Sequence, residues 1–235
     1  MYIVLMCIFS VICLAVMPFF LVEQRHPSVK SLLLKMVCAS MFLCVGIFAL
    51  LQAGRSLYAL FMVLGLVCSW FGDLFLHIQG KAKMPCAVIG VLSFLSAHVM
   101  YLIAFSNVIT MEMHSSLLTV GTLIFVLAML AIYTVIVILT KTPLKLPLIL
   151  LYIYAVFLTI MCFSALRLSV FLFPTTPIGA ILLGTGAILF VLSDGSLGIL
   201  MFNKKLKSNF PLKIFNIGTY FVGQLMLAAT ILFIR

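Results

Sequence analysis

Acidic residues are almost missing from this chain: Glu23, Asp73, Glu112 and Asp194 are the whole set among 235 residues. Charged residues of both signs reach only 8%, where a soluble domain carries about 25%. So few charges cannot cover a water-facing surface, which excludes the soluble globular classes. Disorder is excluded as well, because it requires low hydrophobicity and 66% of these residues are hydrophobic. The formal net charge of +10 does not make a nucleic-acid binder. Its basic residues are scattered between apolar runs, whereas that function needs a clustered patch on a folded surface. The seven cysteines contain no C-x-x-C, so they read as small apolar packing residues. There is also no H-E-x-x-H, no G-x-S-x-G and no nucleotide-binding glycine loop, which leaves zinc-protease, serine-hydrolase and nucleotide chemistry without their usual residues. No basic segment precedes the first apolar run, which therefore reads as a retained span.

What the chain does have is long apolar runs. A hydrocarbon core about 30 Å thick is crossed by about 20 helical residues. Breaks at charge, Pro and Gly leave eight such runs: 2–22, 31–51, 56–78, 84–106, 117–139, 146–166, 178–202 and 213–234. The expected fold is all-α, one polytopic bundle of eight transmembrane helices spanning 1–235, with loops too short for a second domain. Eleven Lys and Arg residues flank the odd loops, against Arg55, Arg167 and Arg235 on the other side. The positive-inside rule then makes the odd loops cytoplasmic and both termini extracytoplasmic. This is an integral multi-pass protein, of the cell membrane if bacterial, whose basic rim meets anionic membrane lipids.

Gly65 through Asp73 in the third run resembles Gly186 through Asp194 in the seventh. Both place Gly eight residues before Asp and a small residue just before it. Four spans separate them, so the helices run the same way, and the pattern suggests two parallel four-helix halves.

Asp73 and Asp194 carry the strongest chemical signal. An Asp at a helix centre costs about 2.5–3.5 kcal/mol on insertion scales, and such residues mark functional sites by default. The competing reading is a buried polar group capped by a neighbour. Counting from Lys81 and Lys204, they lie roughly 12 and 15 Å below the same rim, so they share one cavity if the third and seventh helices meet. Polar stripes accompany them. Ser69, Asp73 and His77 follow one face of the third helix, and Asn216, Tyr220 and Gln224 one face of the eighth. His98 and Tyr101 sit at i, i+3 on the fourth, and Lys35 lies one turn into the second, where a lysine can also snorkel to the rim. Gly65-x-x-x-Ser69 reads as a close helix contact. Asp73, His77 and His98 are metal-ligand types, but their spacing and depths do not converge, and neither a metal nor another cofactor is expected.

The segments Phe71-Gly72-Asp73-Leu74-Phe75-Leu76, Ser96-Ala97-His98-Val99-Met100-Tyr101, Leu192-Ser193-Asp194 and Tyr220-Phe221-Val222-Gly223-Gln224 resemble, in order and spacing, the YhhN-like lysoplasmalogenase family of eight-span membrane proteins. The resemblance runs from the second span to the end. Lys35 falls where that family places a lysine. Met36 departs from the proline that often follows it, and Gly195 directly after the second Asp is a second departure.

The resemblance implies hydrolysis of the vinyl ether of a lysophospholipid, giving a fatty aldehyde and glycerophosphoethanolamine or glycerophosphocholine. That chemistry needs a proton donor and an anion or base near an oxocarbenium ion, the division of labour of paired carboxylates. Asp73 and Asp194 are the expected catalytic pair, and Lys35, His98, Tyr101, Tyr220 and Gln224 the expected substrate-binding residues. A rival expectation is a proton-coupled transporter or lipid carrier using the same two Asp residues. Gly195 and Gly198 are then the sign of a broken helix.

Overall fold

The computed structural model describes residues 1–24, 28–82, 84–139, 148–203, 205–206 and 208–234. Eight helices follow in chain order: α1 (Tyr2–Glu23), α2 (Val29–Ala53), α3 (Leu57–Ala82), α4 (Met84–Glu112), α5 (Val120–Leu139), α6 (Leu148–Leu172), α7 (Pro177–Phe202) and α8 (Phe210–Ala229). A short 3₁₀ turn (Thr230–Leu232) follows the last. All eight are long and apolar enough to cross a membrane.

Local chemistry writes several helix starts. Ser28 and Ser31 satisfy each other's backbone N–H groups at 3.0 and 3.1 Å, a capping box opening α2. Thr119 and Thr122 make the same reciprocal pair before α5. Asn209 accepts from the Leu212 N–H at the start of α8, and prolines occupy the first turns of α7 and α8.

Three ends lie well beyond the expected spans, the first being that of α3, which continues past 78 to Ala82. α4 continues six residues past 106 and takes in Asn107 and Glu112, and α6 continues to Leu172 and takes in Arg167. Polar side chains in a last turn reach headgroup and water, so they do not end a helix. Arg167 donates to the carbonyls of Ser116 and Leu117 at 3.1 and 3.3 Å and to Ser115 Oγ at 3.0 Å, pinning the α4–α5 loop. Glu23 closes α1 and pairs with the exposed Lys30 at 3.0 Å. α7 runs without interruption through Gly195 and Gly198, so those glycines break nothing.

α3 packs most extensively on α4, α7 on α8 and α1 on α2. α8 is the central element, with 61% of its span buried, while α5 has 11%. Small residues make the close contacts. A Cβ on Gly65 would fall inside the Tyr101 ring, one on Gly72 would lie 2.6 Å from Phe94, and one on Gly90 2.8 Å from Leu76. In the other half Gly186 and Gly223 approach backbone to backbone, a Cβ on either meeting the other's carbonyl at 3.1–3.2 Å. Gly65 and Gly186, equivalent in the sequence repeat, thus serve equivalent interfaces.

The helix neighbours follow the same repeat. Contacts α1–α2, α2–α3, α3–α4 and α2–α8 in one half correspond to α5–α6, α6–α7, α7–α8 and α6–α4 in the other. The halves exchange helices, since α8 packs on α2 and α4 packs on α6. Two correspondences fail among the described residues: α1 and α3 both contact α8, but the backbone of neither α5 nor α7 approaches α4, and that of α5 approaches only α6. The cysteines pack as expected of small apolar residues. Cys13 and Cys38 are buried across the α1–α2 contact, each thiol directed at the other's carbonyl.

Candidate functional site

Asp73 and Asp194 face one cavity, although their helices do not meet. Among the described residues no Cα of α3 comes within 8 Å of one of α7. The gap is a polar cavity of about 140 Å³, closed on one side by α8 and bordered by both carboxylates, Lys35, His77, Asn216 and Tyr220.

Asp73 is the more tightly held carboxylate. Lys35 Nζ lies 2.9 Å from its Oδ1 and also donates to its backbone carbonyl at 3.2 Å. Tyr220 donates to Oδ2 at 2.6 Å. The two ionic side chains are only 3% and 15% exposed, so this is a buried pair rather than a snorkelling lysine. Behind it runs a relay: Tyr101 OH donates to Gln224 Oε1 at 3.0 Å, and Gln224 Nε2 lies 3.5 Å from Tyr220 OH.

Asp194 has a different environment. Tyr154 of α6 donates a short hydrogen bond to its Oδ2. His98 Nε2 stands 3.6 Å from the same oxygen, just beyond hydrogen-bond range. The fully buried His98 ring is wedged between Tyr154 and Phe190, with centroids 5.1 Å from each. The two half-sites repeat the exchanged packing. Asp73 takes partners from α2 and α8, and Asp194 takes them from α6 and α4.

Of the five residues expected to bind substrate, Lys35 and Tyr220 border the cavity. His98, Tyr101 and Gln224 do not line it: Tyr101 and Gln224 reach Asp73 only through Tyr220, and His98 packs beside Asp194 without a hydrogen bond to it. Lys35 has its charge engaged by Asp73. His77 borders the cavity with Nε2 3.0 Å from Ser31 Oγ. Ser193 and Asn216 lock α7 to α8 beside Asp194, with Asn216 Nδ2 donating to the Ser193 carbonyl at 2.7 Å. Tyr154 escaped the sequence reading, because a tyrosine in an apolar run resembles any interfacial aromatic.

A second, apolar chamber of about 400 Å³ lies between α5, α6 and α7. Leu76, Phe94, Asp194 and Leu197 border both spaces. The partition is set by packing already described: Phe94 is seated against Gly72 and Leu76 against Gly90. Asp194 therefore stands where an apolar space meets a polar one holding the second carboxylate and a cation. Such a junction accommodates a molecule with one hydrocarbon and one polar end and offers it two carboxyl groups.

No curated protein and no solved structure matches the chain. The model of the YhhN family matches residues 29–231, and the protein belongs to that family.

Proposed function

We propose that this protein hydrolyses the vinyl ether bond of lysoplasmalogens, with Asp194 as proton donor and Asp73 as the carboxylate partner. The observation that carries the reading is the position of Asp194 on both spaces. The scissile bond of a lysoplasmalogen joins a hydrocarbon chain to a glycerophospho group, so chain in one space and headgroup in the other bring that bond to Asp194.

Asp73 is engaged by Lys35 and Tyr220, whereas Asp194, with Tyr154 and His98 beside it, stands at the apolar space where the vinyl ether would lie, so we assign it the donor's part. Asp194 protonates the β-carbon of the enol ether, and the electron pair of the double bond forms the new C–H bond. The resulting oxocarbenium ion is stabilised by the Asp73 carboxylate, which also takes a proton as water adds to the α-carbon. The hemiacetal then collapses. Its hydroxyl proton passes to the Asp194 carboxylate, the proton held by Asp73 goes to the ether oxygen, and the C–O bond breaks to give aldehyde and glycerol hydroxyl. The sum is one vinyl ether and one water consumed, with both carboxyls restored. This is the two-carboxyl logic of glycoside cleavage applied to another oxocarbenium ion, and it uses the chain's own groups and water.

The test is aldehyde release from lysoplasmalogen by the purified chain in detergent, with D73N and D194N alongside. An enzyme turns over without a sealed membrane, whereas a transporter releases nothing. Activity in the wild type that survives D194N would refute the assignment of the donor.

A further inference from the structure

We infer that the apolar chamber seats one unbranched hydrocarbon chain and that Gly195 and Gly198 set the length of chain it accepts. The inference rests on the lysoplasmalogen reading and adds the residues that fix its specificity.

Apart from Asp194 and the Tyr133 hydroxyl, the polar side chains of the wall are engaged within the protein. Thr159 donates to the Ala155 carbonyl at 2.8 Å, Ser196 donates to that of Ser193 at 2.7 Å, and Tyr154 is engaged by Asp194. The remaining lining is almost entirely aliphatic and aromatic. At about 400 Å³ the chamber has the size of a small-molecule site. It exists because α5 lacks the contact its counterpart α1 makes with α8, so that among the described residues it leans on α6 alone.

Two glycines keep the chamber open. Gly65, Gly72, Gly90, Gly186 and Gly223 all have neighbours where a Cβ would go, so close packing accounts for them. Gly195 and Gly198 have nothing within 4 Å of that position, and both border the chamber. Gly218 is the other unobstructed helix glycine among the described residues, and it borders neither cavity. An alanine would fit at 195 and 198 and would favour the helix, so packing and helix stability both argue against glycine there. Open space beside a chain explains it. Gly198 lies four residues beyond Asp194, about 6 Å along the axis, so a side chain there meets the hydrocarbon a few carbons from the reacting bond. One junction and one chamber suit a single-chain lipid.

The experiment compares 1-alkenyl lysophospholipids with chains of 8 and 16 carbons, using the full-length protein in detergent and the variants G198L, G195A/G198A and G218L. Each methylene excluded from the chamber should cost about 4-fold. In G198L the ratio of kcat/KM for 16 over 8 carbons should fall at least about 10-fold, while G218L keeps the wild-type ratio. A 16-carbon 1-O-alkyl lysophospholipid, which has no vinyl ether to cleave, should raise the melting temperature of the wild type but not of G198L. If G198L does not fold, G195A/G198A gives the same shift in ratio at smaller amplitude. A wild type that releases no aldehyde from either chain sinks the hydrolase reading, and the alkyl-ether binding then decides the chamber by itself. Folded G198L or G195A/G198A with an unchanged chain preference and unchanged alkyl-ether stabilisation overturns the chamber assignment.

Discussion

The pairing of Lys35 with Asp73 makes a demanding prediction. The two groups are 2.9 Å apart and almost wholly buried. Removing one partner of a buried ion pair leaves an uncompensated charge and costs about 3–5 kcal/mol, while replacing both with neutral groups is often tolerated. For a chain of this size about 1 kcal/mol shifts the melting temperature by about 2–4 °C. Lys35→Met should therefore lower it by about 6–20 °C. The double variant Lys35→Met/Asp73→Asn should recover most of that loss, because Asn still accepts from Tyr220 and carries no charge. Unfolding can be followed in detergent with a thiol-reactive dye, since Cys13, Cys38 and Cys162 are buried and unpaired in the fold. A Lys35→Met protein as stable as the wild type would refute the buried pair. So would a double variant no more stable than the single. A lysine binding only the substrate phosphate would affect mainly KM on change to Gln; because Lys35 acts through Asp73, Lys35→Gln should lower kcat as well.

The other predictions follow from single contacts. Asp73→Asn and Asp194→Asn should each lower kcat by at least about 100-fold with normal expression, and normal turnover in either removes that carboxyl from the chemistry. Tyr154→Phe deletes the hydroxyl that donates to Asp194. Its loss of kcat should be smaller than that of Asp194→Asn, and wild-type kinetics would make the hydrogen bond catalytically silent. Gly65→Ala should destabilise by about 1–3 kcal/mol by forcing Tyr101 away, whereas Gly195→Ala, which meets no atom, should leave the melting temperature unchanged or raise it; equal effects would contradict the packing. Reporter fusions after residues 80 and 115 should report cytoplasm and exterior respectively, and the reverse would overturn the orientation read from Lys and Arg.

How much of this was legible beforehand differs from element to element. The eight helices follow from apolar run length, and the ends of α3, α4 and α6 were placed too early, because Lys81, Glu112 and Arg167 remain within their helices. That Asp73 and Asp194 border one cavity was partly legible, because intramembrane carboxyls are costly and the two were counted at similar depth. The glycine repeat at 65 and 186 pointed correctly to two equivalent interfaces. What the sequence could not convey is which helices are neighbours. Ridge-and-groove packing among uniformly apolar surfaces leaves little periodic signal, so the separation of α3 and α7 by a cavity was not readable. For the same reason His98, Tyr101 and Gln224 looked like cavity residues when they stand behind the carboxylates. Tyr154 became meaningful only once α6 was placed beside α7.

The exchanged helices also bear on how the chain is made. Spans enter the membrane in order, and each buried polar group needs company when it arrives. Lys35 enters with α2 and finds Asp73 one helix later, so two costly charges neutralise each other early in synthesis. Asp194 arrives with α7, when His98 and Tyr154 are already in place to receive it. Tyr220 alone comes afterwards, on α8, and it brings the wall that closes the polar cavity. Lys35 and Asp73 can thus meet well before the last span enters, and the polar cavity closes only when α8 arrives.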